Sequence, residues 1–124
     1  MKKLPYFLPA IIFYALIFSL SSAGLGIRMR VYHFDKIAHA VEFGIMALLL
    51  SFAFFNVMKA SLTIKILVTF FVGLGLGILD EFHQYYVPGR HRDALDALAD
   101  SVGIAAGIFL YWYLEKKRKK VFKP

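Results

Sequence analysis

The sequence contains no cysteine and only eight acidic residues among 124. Without cysteine the chain forms no disulfide and offers no thiolate ligand to a metal ion. It also has few long polar stretches, because 60% of its residues are hydrophobic and 17% are aromatic. This composition argues against a water-soluble fold and predicts an integral membrane protein that forms one compact unit.

Four apolar segments are long enough to cross a bilayer, at about residues 4–20, 37–55, 62–86 and 94–114. A transmembrane helix needs about 20 mainly apolar residues, within a usual range of about 17–25. We therefore predict an all-α integral membrane bundle of four transmembrane helices, in a single domain over residues 1–124. Residues 115–124 form a basic cytoplasmic tail, and nothing remains for a soluble domain.

The lysines and arginines predict the orientation, because short loops rich in these residues stay in the cytoplasm. With both termini inside, ten basic residues lie on the cytoplasmic side and five on the outer side. The sequence therefore predicts an N-in, C-in topology. The tail then anchors on anionic lipid, which explains its charge more economically than a nucleic-acid partner, and we predict no nucleic-acid binding.

An alternative treats residues 1–23 as a cleavable signal peptide, with Lys2 and Lys3 as its basic start. The long apolar run contains Pro5, Pro9 and several aromatic residues, which suits a retained span better. In either case the other three spans keep their orientation.

Seven of the eight acidic residues and all four histidines lie at the same ends of the apolar segments, in the predicted outer leaflet. On the second segment Asp35, His39 and Glu42 are spaced i, i+4 and i+7 and share a narrow stripe of the helix. Capping at an exposed helix start would explain Asp35 alone. Glu42 lies about 10 Å deeper at 1.5 Å per residue, where solvation does not readily explain it.

The third segment ends in a polar face formed by Asp80, Glu81 and Gln84. Gly73 and Gly77 extend the same face inward. Small residues four apart allow close helix packing in lipid, so we expect this face to point at another helix.

The fourth segment repeats this design, with Asp93, Asp96 and Asp100 above Gly103 and Gly107. A short turn joins the two segments, so we expect their glycine seams to face each other with the carboxylates above the contact. The same seams would equally serve the contacts of a homo-oligomer.

Ionised carboxylates at membrane depth each cost about 2.5–3.5 kcal/mol on insertion, so these must be protonated, paired or bound to a cation. Arg90 and Arg92, in the turn, can pair with two of them. Three chemistries fit: a divalent metal held with His39, acid–base hydrolysis by two carboxyl groups, or a headgroup pocket without turnover. A purely structural polar cluster is the alternative. An ion path is less favoured because no titratable stripe continues into the inner half.

In these residues the chain resembles the VanZ-like family of small bacterial membrane proteins, named for a member associated with resistance to the glycopeptide teicoplanin. The resemblance covers about residues 21–107. The matching motifs are Asp35-Lys36-Ile37-Ala38-His39 with Glu42-Phe43, Asp80-Glu81-Phe82-His83-Gln84, Pro88-Gly89-Arg90, and Asp93, Asp96, Gly103 and Gly107. The chain departs from the pattern at Asp100, where many relatives have Asn. The resemblance implies a multi-pass protein of the bacterial cytoplasmic membrane with an envelope role connected to glycopeptide susceptibility, and it implies no particular reaction.

We therefore predict a VanZ-like envelope protein that binds or acts on a membrane lipid or cell-wall precursor in the outer leaflet. The candidate catalytic residues are Asp80, Glu81, His39 and Glu42, of which Asp80 and Glu81 are the favoured acid–base or metal-binding pair. The candidate substrate-binding residues are Asp35, Lys36, Gln84, Arg90, Asp93, Asp96 and Asp100. A divalent metal is the one cofactor that the pattern suggests. The alternative is a non-enzymatic membrane interaction module, in which the polar cluster is structural and the tail engages a partner.

Overall fold

The computed structural model of the chain describes residues 2–22, 32–86 and 94–123, and this part is all-helical without strands. The helices are α1 (Leu4–Ser22), α2 (Tyr32–Val57), α3 (Leu62–Tyr85) and α4 (Ala94–Val121). Side chains are described from residue 36 onward in α2 and up to residue 20 in α1. The predicted all-α class and the number of helices are confirmed.

Three of the helices are long and apolar enough to cross a membrane, namely α2 from Lys36, α3 and α4. The fourth, α1, is a shorter apolar helix. Large apolar side chains stand exposed on the outside of the bundle, among them Ile12, Phe71 and Phe109. A continuous apolar surface of this kind is suited to lipid rather than water, so the chain has the character of a membrane protein.

The helix boundaries differ from the predicted spans mainly at two ends. The start of α2 lies at Tyr32, five residues before the predicted position, so Asp35 lies within the first turn rather than at an N-cap. The end of α4 lies at Val121, seven residues beyond the predicted span, so most of the basic tail is helical. Its Lys and Arg residues favour helix and complement the negative end of the helix dipole, which explains the extension. Inside it Glu115 pairs with Arg118 and Lys119.

The turn between α2 and α3 is fixed at both ends by hydrogen bonds. Ser61 caps α3, its Oγ accepting a hydrogen bond from the Ile64 backbone N–H at 3.3 Å. Lys65 Nζ donates to the Phe55 carbonyl oxygen at 3.1 Å and so satisfies a carbonyl near the end of α2. The short turn makes α2 and α3 antiparallel neighbours, as the sequence predicts.

The bundle alternates in direction along the chain. Lys36 near the start of α2 pairs with Asp96 near the start of α4, so these two helices run parallel. Tyr6 near the start of α1 contacts the Phe52 ring near the end of α2, with ring centroids 5.6 Å apart, so α1 runs the opposite way. Helices α2 and α3 each contact the other three helices, and the contact between α2 and α4 is the most extensive.

Helices α2 and α4 pack with their backbones in close contact. A Cβ added at Gly103 would lie 2.1 Å from the Ala40 carbonyl oxygen, and one added at Gly107 would lie 2.3 Å from that of Gly44. The α3 glycine Gly73 instead faces the Ile104 side chain. The expected contact between the glycine seams of α3 and α4 is therefore wrong. The α4 glycines face α2 because Ala40 and Gly44 repeat their four-residue spacing.

The apolar core lies directly beneath the polar ends of the helices. Phe43, Met46 and Ile104 are fully buried there. Helix α1 contributes the buried Ile17, and its Tyr14 Oη donates a hydrogen bond to the Leu76 carbonyl oxygen at 3.3 Å. Helix α1 is thus an integral part of the bundle.

Candidate functional site

Seven polar side chains from three helices meet at one end of the bundle, and we call them the polar cluster. They are Lys36 and His39 of α2, Asp80, Glu81 and Gln84 of α3, and Asp96 and Asp100 of α4. All except the partly exposed Lys36 are more than nine-tenths buried. Burial of this many ionisable groups is expensive, so their mutual contacts decide what the cluster can do.

Helices α2 and α4 face each other with matched polar pairs. Lys36 forms an ion pair with Oδ1 of Asp96. One turn further, His39 Nδ1 lies 3.2 Å from Asp100 Oδ1, within hydrogen-bond distance. The second ring nitrogen of His39, Nε2, lies 4.0 Å from Asp96 Oδ2, which is too long for a hydrogen bond. His39 therefore stands between the two carboxylates of α4.

Helix α3 closes the third side of the cluster. Gln84 Nε2 donates a hydrogen bond to Asp80 Oδ2 at 2.8 Å, within one turn of the helix. A Cβ added at Gly77 would lie 3.1 Å from Asp100 Oδ2, so a glycine here lets the α3 backbone come up against this carboxylate. Asp80 and Asp100 are also close enough to interact electrostatically. The acids of α3 and α4 thus share one buried region.

Two carboxylate oxygens in this region have no hydrogen-bond partner in the described part of the chain. They are Glu81 Oε1 and Asp100 Oδ2, both buried. His39, Glu81 and Asp96 each offer one potential metal-ligand atom, and these three atoms lie within 4.8 Å of one another. A nitrogen and two oxygens at this separation form a set that can bind a cation or the hydrogen-bond donors of a ligand.

An apolar floor of Phe43 and Ile104 lies beneath the polar cluster. Among the described residues further along the helices, the buried polar side chains are those of Ser51 and Thr69. The Thr69 hydroxyl donates to the carbonyl oxygen of Lys65 within its own helix at 2.8 Å. Among the described residues, the buried ionisable side chains therefore lie on one side of the floor, which disfavours an ion path through the bundle.

The candidate residues from the sequence fall into three groups. Those that the structure brings together are His39, Asp80, Glu81, Gln84, Lys36, Asp96 and Asp100. Glu42 is half-buried on α2, three residues beyond His39. Arg90, Asp93 and the side chain of Asp35 lie outside the described residues. The catalytic and substrate-binding roles of all these residues stay predictions.

Sequence reasoning missed the small residues of α2 that bring the site's helices together. Ala40, which directly follows His39, and Gly44, one turn further along α2, accept the close approach of α4. Their four-residue spacing, the same as in Gly103 and Gly107, is the signal that would have revealed this packing.

A second feature that the sequence did not reveal is a cleft of about 560 Å³ at the opposite end of the bundle. It is lined by Trp112, Lys65 and several basic residues of the tail. Lys116 Nζ lies 4.9 Å from the centroid of the Trp112 ring, a cation–π contact. The tail helix and the turn between α2 and α3 thus form one basic surface.

Comparison with known proteins identifies the family. A family model described as VanZ/LLP1 matches residues 3–115, which is most of the chain. Neither the curated proteins nor the solved structures contain a match.

Proposed function

The chain belongs to the VanZ/LLP1 family, and we propose that it is a multi-pass protein of the bacterial cytoplasmic membrane whose polar cluster binds a lipid or cell-wall precursor headgroup. The proposed role is in the cell envelope, with an effect on susceptibility to glycopeptides such as teicoplanin. The single observation that carries this proposal is the burial of seven polar side chains from three helices at one end of the bundle. Ionisable groups at membrane depth are costly, and proteins retain them mainly where they serve a function.

Two buried carboxylate oxygens support a ligand rather than a purely structural role. Glu81 Oε1 and Asp100 Oδ2 have no hydrogen-bond partner among the described residues, so each can accept a hydrogen bond from a ligand. Ammonium or hydroxyl groups of a headgroup would supply the donors. The arginines at positions 90 and 92, in the turn that joins α3 to α4, would contact its phosphate.

The outer leaflet is the proposed location of this site. Helix α1, with 19 residues at 1.5 Å each, is about 28 Å long, close to the hydrocarbon thickness of about 30 Å. We therefore propose α1 as a retained fourth span. Lys59, Lys65 and the tail then lie inside, and the polar cluster lies at the outer ends of the helices.

The basic cleft at the tail end is the proposed site of contact with anionic lipid. Besides Lys116 at Trp112, Lys117 Nζ lies 5.4 Å from the centroid of the Tyr113 ring. Aromatic rings and lysines at the end of a span are typical of the membrane interface, and each lysine near an anionic surface adds about 1 kcal/mol of attraction. This contact would anchor the inner end of the bundle.

The second candidate function is a non-enzymatic interaction module with a structural polar cluster. Its specific support is that His39 and Asp100, and Gln84 and Asp80, already satisfy one another by hydrogen bonds. In that case substitution of a cluster residue would reduce the stability of the bundle without altering any ligand affinity.

Headgroup binding by the full chain in detergent tests the proposal. Thermal stability would be measured with phosphatidylglycerol, phosphatidylethanolamine and undecaprenyl phosphate, beside diacylglycerol, which lacks a charged headgroup. We expect one charged headgroup to stabilise the protein, and Glu81→Gln to weaken that binding at least tenfold, because Glu81 is buried and offers an unpartnered oxygen. The choice of headgroup separates a membrane lipid from a wall precursor.

The control is Gly75→Ala in α3, where an added Cβ meets open space and which lies outside both the polar cluster and the basic cleft. It should retain the affinity of the native chain. Equal stabilisation by all four lipids, or unchanged headgroup affinity in a folded Glu81→Gln variant, would count against the proposal. A variant that loses stability but no affinity would favour the interaction module.

A further inference from the structure

Three residues that can bind a metal ion, each from a different helix, converge inside the polar cluster. His39 of α2, Glu81 of α3 and Asp96 of α4 are 5%, 7% and 3% exposed. One potential metal-ligand atom of each residue lies within 4.8 Å of those of the other two. Because each residue is carried by a packed helix rather than a loop, the three positions are held with little freedom.

The surroundings of His39 orient its ring for metal binding. Nδ1 lies 3.2 Å from Asp100 Oδ1, so an ionised Asp100 favours the tautomer in which Nδ1 carries the proton. Nε2 is then the nitrogen with a lone pair, and it faces Asp96 Oδ2 at 4.0 Å. A hydrogen bond does not span this distance. A tetrahedral ion bonded to both atoms at about 2.0–2.2 Å needs them about 3.3–3.6 Å apart, so ion binding would draw the two side chains together by about half an ångström. A carboxylate behind the histidine is a common arrangement in metal sites.

The two oxygens of Asp96 divide between two partners. Oδ1 forms the ion pair with Lys36, while Oδ2 faces the histidine nitrogen. Lys36 therefore holds the Asp96 carboxylate in place and leaves Oδ2 directed towards His39 Nε2. Lys36 and Asp100 are positioning residues in this arrangement.

Glu81 supplies an independent indication of a ligand. Glu81 is more than nine-tenths buried, and its Oε1 has no hydrogen-bond partner in the described part of the chain. An unsatisfied buried carboxylate oxygen is unfavourable unless a donor or a cation meets it. One carboxylate oxygen of Glu81 lies within 4.8 Å of the ligand atoms of His39 and Asp96, so an ion held by those two residues would be within reach of this carboxylate.

We propose that His39, Glu81 and Asp96 bind one divalent transition-metal ion of the Zn²⁺ or Mn²⁺ class. One imidazole nitrogen with two carboxylate oxygens suits these ions better than Mg²⁺ or Ca²⁺, which prefer six or more oxygens. Three protein ligands leave a coordination position for an outside oxygen. The inference goes beyond headgroup binding and does not depend on it.

Metal titration of the full chain in detergent tests the inference. The protein would be stripped with EDTA, desalted, and titrated separately with Zn²⁺, Mn²⁺ and Mg²⁺. Bound metal would be counted by elemental analysis, Mn²⁺ binding followed by electron paramagnetic resonance, and the midpoint of thermal unfolding recorded. We expect one ion per chain, a higher midpoint when it is bound, and affinity in the order Zn²⁺, Mn²⁺, Mg²⁺.

Variants locate the site. Glu81→Gln and His39→Gln should each lower Mn²⁺ affinity at least tenfold. Asp100→Asn should lower it less, because the amide oxygen can still accept the proton of His39 Nδ1. The control is His83→Gln, which removes a half-buried histidine that stacks on Phe18, outside the three donors, and should bind as the native chain does.

Several results would overturn the inference. These are less than half an ion per chain with Zn²⁺ and Mn²⁺, equal stabilisation by Mg²⁺, or native affinity in folded Glu81→Gln. If His39→Gln does not fold, Glu81→Gln decides, since its Oε1 holds no hydrogen bond among the described residues. Headgroup binding by a chain that takes up neither Zn²⁺ nor Mn²⁺ would overturn the metal site alone. Metal binding without any headgroup preference would overturn the lipid proposal alone.

Discussion

Each acid of α4 in the polar cluster takes a partner from α2. Asp96 pairs with Lys36, and Asp100 with His39. The pairs are one helical turn apart on both helices, so the parallel packing brings both into contact together. A buried ion pair of this kind adds little net stability, but breaking it leaves a charge without compensation. The contacts of the site are therefore more sensitive to the loss of one partner than of both.

The pair of Lys36 and Asp96 makes this sensitivity measurable. Lys36→Met should destabilise the metal-free protein by about 2–3 kcal/mol, because it leaves the buried carboxylate of Asp96 unpaired. Asp96→Asn should cost less, since Lys36 is partly exposed and can reach water. The double variant should lose less than the sum of the two, by about 2 kcal/mol. Denaturant unfolding in mild detergent measures all three.

A control for this cycle lies in the exposed pair of Lys119 and Glu115. Lys119→Met should change stability by less than about 0.5 kcal/mol, because solvent screens an exposed pair. Additive effects of Lys36→Met and Asp96→Asn would show that the two side chains do not interact in the folded protein.

At the scale of the helices, the contact between α2 and α4 determines where the site residues stand. Gly103 and Gly107 let the backbone of α4 lie against Ala40 and Gly44. This approach sets the distance across which His39 meets the carboxylates of α4. Any side chain at these glycines would push the two helices apart and separate the site residues.

Gly103→Ala should destabilise the protein by about 3 kcal/mol or more, because its Cβ would lie 2.1 Å from the Ala40 carbonyl oxygen. Backbone atoms cannot rotate away from such a contact. The matched control is Gly75→Ala in α3, where a Cβ has open space. It should be neutral or stabilising by up to about 1 kcal/mol, since alanine favours helix. Thermal unfolding of both variants tests this, and equal stability would contradict the close packing.

The contact between α2 and α4 also shows which features of the site could be predicted from the sequence and which could not. Helical periodicity placed His39, Glu81 and Asp96 on the polar faces of their helices, and the structure brings these faces together. Periodicity identifies a face but not the helix that it meets, so Gly103 was assigned to the wrong neighbour. The end of α4 was also missed, because its Lys and Arg residues favour helix beyond the apolar span. The earlier start of α2 at Tyr32 has no signal in the apolar pattern.

At the scale of the whole molecule, the two ends of the bundle carry opposite character. The polar cluster gathers four buried carboxylates at one end, and the other end carries the basic tail around Trp112. The apolar floor formed by Phe43 and Ile104 separates the two ends. In a membrane, this polarity would direct the basic end to the cytoplasm and present the carboxylates to the outside.

Cysteine labelling tests this orientation, and the absence of native cysteine makes it direct. A cysteine replacing the exposed Tyr86 at the end of α3 should react with a membrane-impermeant maleimide in spheroplasts. One replacing the exposed Lys59, in the turn between α2 and α3, should react only after permeabilisation, since basic turns stay inside. The native chain, treated alike, gives the background. The reverse pattern would place the polar cluster on the cytoplasmic side, where a wall precursor exposed outside the cell could not reach it.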